Sequence, residues 1–402
     1  MEIEVVTAAD RLAELEPEWV ALQDATDPPY YVRHHFVQAW WRAYQDAPGY
    51  ELRILVVRNN GEVVGIAPLA LVPQKRKGRP IRSLRFASHG DYMGILIDAA
   101  ATRSETICRM VMQHIEEAPE WDTVSLGNVP SFSPLAHYLL KSTKYNDAFS
   151  LQIENPYLDL RTYASLDEYA ETHPLKRARK QRSKFYREVS PEFVIIDGNR
   201  DNVLGRMGEL HRREKEHLQE VHDRTERHSL FDDERRVQLY RQIYDGAGET
   251  LTFAYQSKRG ELLGYRSCYV DGTTLLSWNS AYHPDYDSYR IGKVIQYDIL
   301  EHLFGQDRFD RFDFGAGRYP WKFEWTDQFS STYRLILRRP SADPPPKAPA
   351  APQKVAAPEP APTTTPNEQV EKDAAPADVR GGSGVASAAH RALRRLRRGR
   401  SD

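Results

Sequence analysis

A strand, a loop, a helix and a second strand follow one another in residues 273–327, and this succession constrains the fold more than any other part of the chain. Strand-forming residues fill positions 274–282 and predict a strand. His283-Pro284 then ends this strand, and the residue before a proline is disfavoured in a helix. Apolar residues recur at helical spacing over 294–304. Three phenylalanines in 309–315 predict the next strand, which ends at a glycine.

The start of that helix is a candidate anion site. It is formed by Tyr289, Arg290, Ile291, Gly292 and Lys293. The first turn of a helix has unsatisfied N–H groups and the positive end of the helix dipole, which suit a pyrophosphate. Gly292 lets a ligand approach the backbone, and Arg290 and Lys293 add positive charge. An ordinary helix start with solvated basic residues would have the same sequence.

A strand, an anion-binding helix start and a second strand that ends in FDFGAG resemble the core of the N-acetyltransferases of the GNAT superfamily. Over residues 280–325, the motifs YRIGK and FDFGAG and the run Tyr319-Pro320-Trp321-Lys322 resemble the CelD-like and FemAB-like acetyltransferases, which carry two GNAT-like lobes in one chain. The resemblance implies that the helix start, residues 290–293, contacts an acyl-CoA donor. The chain departs from the family in having Trp321 before the lysine and in lacking an Arg-x-x-Gly-x-Gly/Ala loop.

The length of 402 residues allows two domains and a tail. We predict an α/β (α+β) fold with two tandem GNAT-like lobes, residues 1–155 and 156–338, each a mixed central sheet flanked by helices. Residues 339–384 are rich in proline and alanine and are expected to be a disordered linker. The basic segment 385–402 is expected either to touch an anionic membrane surface or an acidic partner, or to remain a solvated tail.

Two short phrases occur in both halves of the chain in the same order. Residues 60–65 resemble residues 259–264, and residues 124–127 resemble residues 312–315. Their order supports a duplicated lobe. The first half has no counterpart of YRIGK, so the donor is expected in the second lobe.

Charge and cysteine content exclude several classes of protein. The net charge of −2 gives no overall field that would steer the chain to nucleic acid. The two cysteines, Cys108 and Cys268, fit no metal motif or disulfide framework, so we expect no metal and a reducing cytosol. The acidic N-terminus lacks a signal core, and no apolar run is long enough to span a membrane. We therefore expect a cytoplasmic protein, with possible membrane association through its basic tail.

Two polar segments are candidates for substrate binding. The loop His89-Gly90-Asp91-Tyr92 lies between predicted strands where a GNAT sheet opens, and Asp91 is its candidate contact, although such a loop is often a simple turn. The helix of residues 175–188 carries basic residues on most of its faces, and Arg179 is its candidate contact. That helix could bind phosphates of a nucleotide sugar, a lipid carrier, the donor or a nucleic acid, or it could be a solvated basic helix.

The chemistry of N-acyl transfer assigns further candidate roles. It needs an acid for the leaving thiolate, a base for the amine and a polarising N–H group at the carbonyl. The candidate acids are Tyr282, Tyr286 and Tyr289. The candidate bases are Asp313 and Glu324, and Asp313 could instead buttress its loop. Lys322 could hold an acidic group of the substrate or of the donor, or it could be an ordinary surface lysine.

These observations predict an N-acyltransferase that uses acetyl-CoA or another acyl-CoA. The expected acceptor is an amine on a sugar, a polysaccharide precursor or another envelope metabolite. One alternative is a FemAB-like enzyme that transfers an amino acid from aminoacyl-tRNA to a peptidoglycan precursor. Another is a non-catalytic adaptor of a polysaccharide synthase.

Overall fold

The structure is a computed structural model that describes residues 1–173, 175–222, 228–246 and 248–339. The predicted linker and tail, residues 340–402, lie outside the described residues. The described chain has the predicted mixed α/β fold. No helix among the described residues is long and apolar enough to cross a membrane.

The first part of the chain contains short helices and strands, most of which pair antiparallel. Its elements are β1 (Glu2–Val6), α1 (Ala9–Glu14), α2 (Glu16–Thr26), α3 (His34–Tyr44), β2 (Glu51–Leu52), β3 (Ile54–Asn59), β4 (Glu62–Ala67), β5 (Leu69–Arg76), β6 (Arg79–Phe86), β7 (Leu96–Ile97), α4 (Ser104–Glu117), β8 (Thr123–Pro130), α5 (Pro134–Lys141) and β9 (Phe149–Asp159).

Two prolines divide elements that the sequence pattern predicts as continuous. The helix expected over residues 8–24 is two helices, and Pro17 lies in the first turn of α2, where its missing N–H costs least. The strand expected over residues 62–74 is likewise two strands, β4 and β5, with Pro68 between them. The strand β4 pairs with β3, whereas β5 pairs with β6 in another sheet, so the chain passes from one sheet to the other at Pro68.

The second part contains the predicted strand–helix–strand unit. Its elements are α6 (Leu166–Thr172), α7 (Lys176–Val189), β10 (Glu192–Asp197), α8 (Val203–His222), α9 (Glu234–Tyr244), β11 (Thr250–Gln256), β12 (Leu262–Asp271), β13 (Thr274–Tyr282), α10 (Ile291–Phe304), β14 (Arg311–Asp313) and β15 (Phe329–Arg338). The helix predicted to begin near Gly292 is confirmed as α10. The Ser165 hydroxyl caps α6 by accepting a hydrogen bond from the Glu168 N–H at 3.2 Å.

The strands form two sheets, and the larger one runs through both halves of the chain. Its order is β10-β11-β12-β13-β14-β9-β15-β8-β6-β5-β2, and the smaller sheet has the order β1-β3-β4-β7. The strand β9 spans the predicted boundary at residue 155 and pairs with β14 at its far end. The last strand, β15, lies between β9 and β8 and not beside β14. The two halves therefore share one hydrogen-bonded sheet.

The sheet separates two apolar cores. One face of α10 packs with Leu263, Leu275 and Phe312 in a core of the second half. On the other side, residues of the first half pack against β12 and β13, and the Tyr269 ring stacks on Tyr30 at 5.1 Å and on Trp278 at 5.4 Å between ring centroids. Burial of such aromatic rings contributes a few kcal/mol each, which holds the first half firmly on the second.

Candidate functional site

The parallel strands β13 and β14 separate after a short paired segment. Residues 274–276 pair with residues 311–313, but β13 continues to Tyr282 without β14 beside it. The register between β12 and β13 also shifts at Ser267, which leaves Trp278 as an extra residue in β13. Such a bulge twists a strand and frees a backbone group from the ladder. We call the opening between the ends of β13 and β14 the notch.

The start of α10 packs tightly on the end of β13. Arg290, the residue before the helix, has the left-handed backbone angles φ 54° and ψ 50°. A Cβ atom at Gly292 would lie 3.1 Å from the hydroxyl of Tyr282. A Cβ at Gly264 would lie 2.7 Å from the Ile291 side chain. The two glycines therefore let the helix start and the hairpin approach each other, and a larger residue at position 292 would displace Tyr282.

Lys293 and Glu324 form an ion pair beside the helix start. The Lys293 Nζ lies 2.6 Å from the Glu324 carboxylate, and both side chains are partly exposed. An exposed pair of this kind contributes little to stability. It joins α10 to the turn after Trp321, and it places the predicted donor contact and one predicted base next to each other.

Lys322 is buried and holds the loop that follows β14. It is 4% exposed, and its Nζ donates hydrogen bonds to the carbonyl oxygens of Gly315 at 2.8 Å and Ala316 at 2.7 Å. Burial lowers the pKa of Lys322 to about 8, and the carboxylates of Asp91 and Asp313 oppose that shift. The Lys322 side chain thus holds the loop at the mouth of the notch, and its role in substrate binding stays a prediction.

Asp91 reaches this loop from the first lobe. Its carboxylate accepts a hydrogen bond from the Ala316 N–H at 2.9 Å. Burial raises the pKa of Asp91, and the hydrogen bond from Ala316 and the charge of Lys322 oppose the shift. The structure therefore brings Asp91 and Lys322, predicted from separate motifs, to the same loop.

Asp313 lies beneath the same loop, and its carboxylate oxygens accept several hydrogen bonds. It is 1% exposed. Its carboxylate accepts hydrogen bonds from the Tyr92 hydroxyl at 2.6 Å, from Arg311 at 3.0 Å and from the Gly315 N–H at 2.9 Å. These contacts favour the buttressing alternative for Asp313. Its role as a base stays a prediction.

Tyr282 makes hydrogen bonds with two buried charged residues. Its hydroxyl accepts a hydrogen bond from Arg266 at 3.3 Å, and its N–H donates to the Glu214 carboxylate at 3.1 Å. Glu214 in turn pairs with Lys215 at 2.8 Å. Sequence analysis missed Arg266, although an arginine inside the apolar strand LLGYRSCYV is a signal that could have identified it.

Two predicted site residues lie at α7 instead of the notch, because Arg179 is part of this helix and Tyr289 packs against it. Arg179 donates a hydrogen bond to the Tyr297 hydroxyl at 3.2 Å and pairs with Asp167 at 3.0 Å. The Tyr289 ring packs on Phe185 with a centroid distance of 5.5 Å. The roles of Arg179 and Tyr289 in binding and catalysis stay predictions.

Ion pairs neutralise much of the basic helix α7. Arg182 pairs with Asp298 and Glu301 on α10, and Arg187 pairs with Glu188 at 2.6 Å. Asp298 is 3% exposed and also accepts a hydrogen bond from the Tyr186 hydroxyl at 2.7 Å. Much of the charge of α7 therefore serves packing. The exposed basic side chains of this helix include Lys176, Arg177 and Lys180.

The described residues contain no group of three or more histidine, cysteine or carboxylate side chains that could hold a metal ion. The two cysteines, Cys108 and Cys268, are buried and free. Burial raises the pKa of each thiol to about 12, so neither is a ready thiolate.

Comparisons with known proteins found one family model and several solved structures that are similar to this chain. Residues 165–323 match the family model described as an acetyltransferase (GNAT) domain. The crystal structure of FemX is similar over 84% of this chain and 98% of its own, with 12% identity and a TM-score of 0.54, which shows a common fold. A tandem GNAT protein from the clavulanic acid biosynthesis pathway covers 85% of this chain and 100% of its own, with 16% identity and a TM-score of 0.47. No curated protein sequence matched the chain.

Proposed function

We propose that this chain, a two-lobe GNAT-superfamily protein whose residues 165–323 form the acetyltransferase domain, transfers an acyl group from acetyl-CoA or another acyl-CoA to an amine. The observation that carries the proposal is the notch. Pairing of β13 with β14 stops at Leu276 and Asp313, and the first turn of α10 packs at Gly292 on Tyr282, the last residue of β13. An opening in the sheet beside a helix start can hold a thioester and its pyrophosphate together.

The residues at the notch have complementary roles in this proposal. The first turn of α10, with Gly292 and Lys293, binds the pyrophosphate. A backbone N–H group at the Trp278 bulge polarises the thioester carbonyl. Tyr282 protonates the leaving thiolate, which its position between Gly292 and Arg266 supports. Glu324 is the candidate base for the amine because it is partly exposed beside the helix start.

The proposed acceptor is an amine on a sugar, a polysaccharide precursor or another envelope metabolite. The test is a thiol-release assay with the full chain, acetyl-CoA and a panel of amino sugars, nucleotide-linked amino sugars and peptides. We expect release of free CoA with one class of amine and a product heavier by one acetyl group. Thiol release that is independent of every amine would contradict acyl transfer to this acceptor class.

A second candidate is transfer of an amino acid from aminoacyl-tRNA to a peptidoglycan precursor. The fold shared with FemX and the exposed Lys176, Arg177 and Lys180 on α7 favour it. Binding of aminoacyl-tRNA would then weaken steeply with salt, because phosphate contacts release counterions. Binding of acetyl-CoA together with salt-insensitive, weak tRNA binding would exclude this candidate.

A third candidate is a non-catalytic adaptor of a polysaccharide synthase that is anchored by its basic tail. The tail, residues 385–402, lies outside the described residues. An adaptor would tolerate loss of Gly292 and Lys322 but would fail on removal of the tail. Sedimentation with anionic vesicles, with and without residues 385–402, tests the proposed contact with a membrane surface.

A further inference from the structure

Arg266 is a buried cation that has no carboxylate partner among the described residues. It is 3% exposed in the middle of β12. Its guanidinium makes long hydrogen bonds to the Ser277 hydroxyl at 3.4 Å and the Tyr282 hydroxyl at 3.3 Å, and it stacks at 5.0 Å from the Trp321 ring. Its buried Nε–H has no hydrogen-bond partner.

A second buried donor lies against this arginine. The indole Nε1–H of Trp321 also has no hydrogen-bond partner. Other buried cations near the notch are compensated: Lys322 has the carboxylates of Asp91 and Asp313 in its surroundings, and Lys215 pairs with Glu214. A buried charge that lacks a partner costs several kcal/mol. Arg266 and Trp321 therefore form a site that lacks an anion.

The position of Arg266 indicates which part of a substrate would reach it. Arg266 contacts Ser277, which is the first residue of β13 beyond its pairing with β14. It also contacts Tyr282, which packs on Gly292. The Tyr282 hydroxyl thus contacts both Arg266 and the start of α10. A pyrophosphate at the first turn of α10 would remain at the partly exposed end of the notch. The group that reaches Arg266 lies close to the reacting thioester.

We propose that Arg266 and the indole N–H of Trp321 bind a carboxylate on one of the two substrates, as a specificity subsite of the acyltransferase. A planar guanidinium matches a carboxylate through two parallel hydrogen bonds, and stacking on an indole orients it. The carboxylate belongs either to the acyl group, as in a dicarboxylic acyl-CoA, or to the acceptor, as in an amino acid or acidic amino sugar. This inference rests on the proposed acyl transfer from acyl-CoA.

The test compares ligand binding by the wild-type chain with binding by the variants Arg266→Met and Arg266→Lys. The control is Arg109→Met, which changes an exposed arginine on α4. Calorimetry uses acetyl-CoA, succinyl-CoA and free CoA, and separately a carboxylate-bearing amine and its neutral amide in the presence of CoA. Preference for succinyl-CoA would assign the carboxylate to the donor, and preference for the acidic amine would assign it to the acceptor.

We expect Arg266→Met to bind the preferred carboxylate ligand at least tenfold more weakly than the wild type does. Its affinity for free CoA should stay within twofold of the wild-type value. We also expect the unliganded variant to melt at the same temperature as the wild type or higher, since an unpaired buried charge has been removed. A lower melting temperature with unchanged ligand preference would show a structural role and overturn the proposal. Equal weakening of all CoA ligands would assign Arg266 to the pyrophosphate and also overturn it.

The binding experiment distinguishes an error in the proposed subsite from an error in the proposed function. If the wild type binds acetyl-CoA but prefers a carboxylate neither among the CoA ligands nor among the amines, the proposed subsite is wrong. The proposed acyl transfer would still stand. Absence of binding of every CoA ligand by the wild-type chain would contradict the proposed function and this inference with it.

Discussion

The carboxylate of Asp91, in the first lobe, accepts a hydrogen bond from the N–H of Ala316, in the loop after β14, at 2.9 Å. Lys322 donates to the carbonyl oxygens of the same loop. The loop that closes one side of the notch is therefore held by side chains from both halves of the chain.

The Asp91 contact predicts different effects for two substitutions. Asp91→Ala removes the acceptor for a buried N–H, so we expect the free energy of unfolding to fall by about 1–3 kcal/mol and kcat/KM to fall with it. Asp91→Asn keeps an acceptor oxygen and should lose much less stability. Denaturant titration and the thiol-release assay measure both effects. Equal behaviour of the two variants would show that the hydrogen bond is unimportant.

Tyr282 and Tyr289 are distinguished by a pair of phenylalanine substitutions. Tyr282 lies at the notch beside Arg266 and Gly292, whereas Tyr289 packs on Phe185. We expect Tyr282→Phe to lower kcat by about 10²-fold, typical for loss of a general acid, with little change in KM. Tyr289→Phe is the matched control and should retain most of its activity. The reverse ranking would move the acid to the helix start.

The pKa of Lys322 predicts how stability depends on pH. The pKa is about 8 in the folded protein and about 10.4 for a lysine in an unfolded chain. Between these pH values the unfolded chain binds more protons than the folded chain, so this group makes the free energy of unfolding rise with pH. Between pH 7.5 and pH 10.5, the free energy of unfolding of the wild type should rise by up to roughly 3 kcal/mol relative to that of Lys322→Met.

Denaturant titrations of both chains at several pH values measure this difference. Lys141→Met, at an exposed position on α5, serves as the control and should show no such change. A difference between wild type and Lys322→Met that stays constant across the range would contradict a lowered pKa.

The pairing of Arg182 with buried Asp298 predicts a structural role for the centre of α7. Arg182→Ala leaves a carboxylate that is 3% exposed without its cation, so we expect a loss of about 3–5 kcal/mol of stability. Lys180→Ala, on the exposed side of the same helix, should change stability by less than about 0.5 kcal/mol. Thermal melting of both variants checks this, and equal melting temperatures would contradict it.

Local sequence signals predicted much of the second half of the chain. The apolar spacing after Gly292 identified α10, and the strand-forming residues at 274–282 identified β13. The position of β15 between β9 and β8 was not predictable from such signals. Strand neighbours that are far apart in sequence depend on the packing of whole lobes and leave no local pattern.

The candidate site was predictable in its parts but not in its arrangement. Asp91 and Lys322 were identified from separate motifs, yet their meeting at Ala316 depends on contact between the lobes. The pairing of Lys293 with Glu324 likewise joins segments that sequence spacing does not relate. Arg266 carried a signal of its own, a charge within a buried strand, but its unpaired state is visible only in three dimensions among the described residues.

The most direct measurement is calorimetric titration of the full chain with acetyl-CoA, beside Gly292→Trp and the surface control Lys141→Trp. An indole at position 292 would occupy the space of Tyr282, since even a Cβ there lies 3.1 Å from its hydroxyl. We expect saturable binding to the wild type and the control, and at least a hundredfold weaker binding to a folded Gly292→Trp. Absence of binding to the wild type, or equal binding to Gly292→Trp, would contradict a donor site at the start of α10.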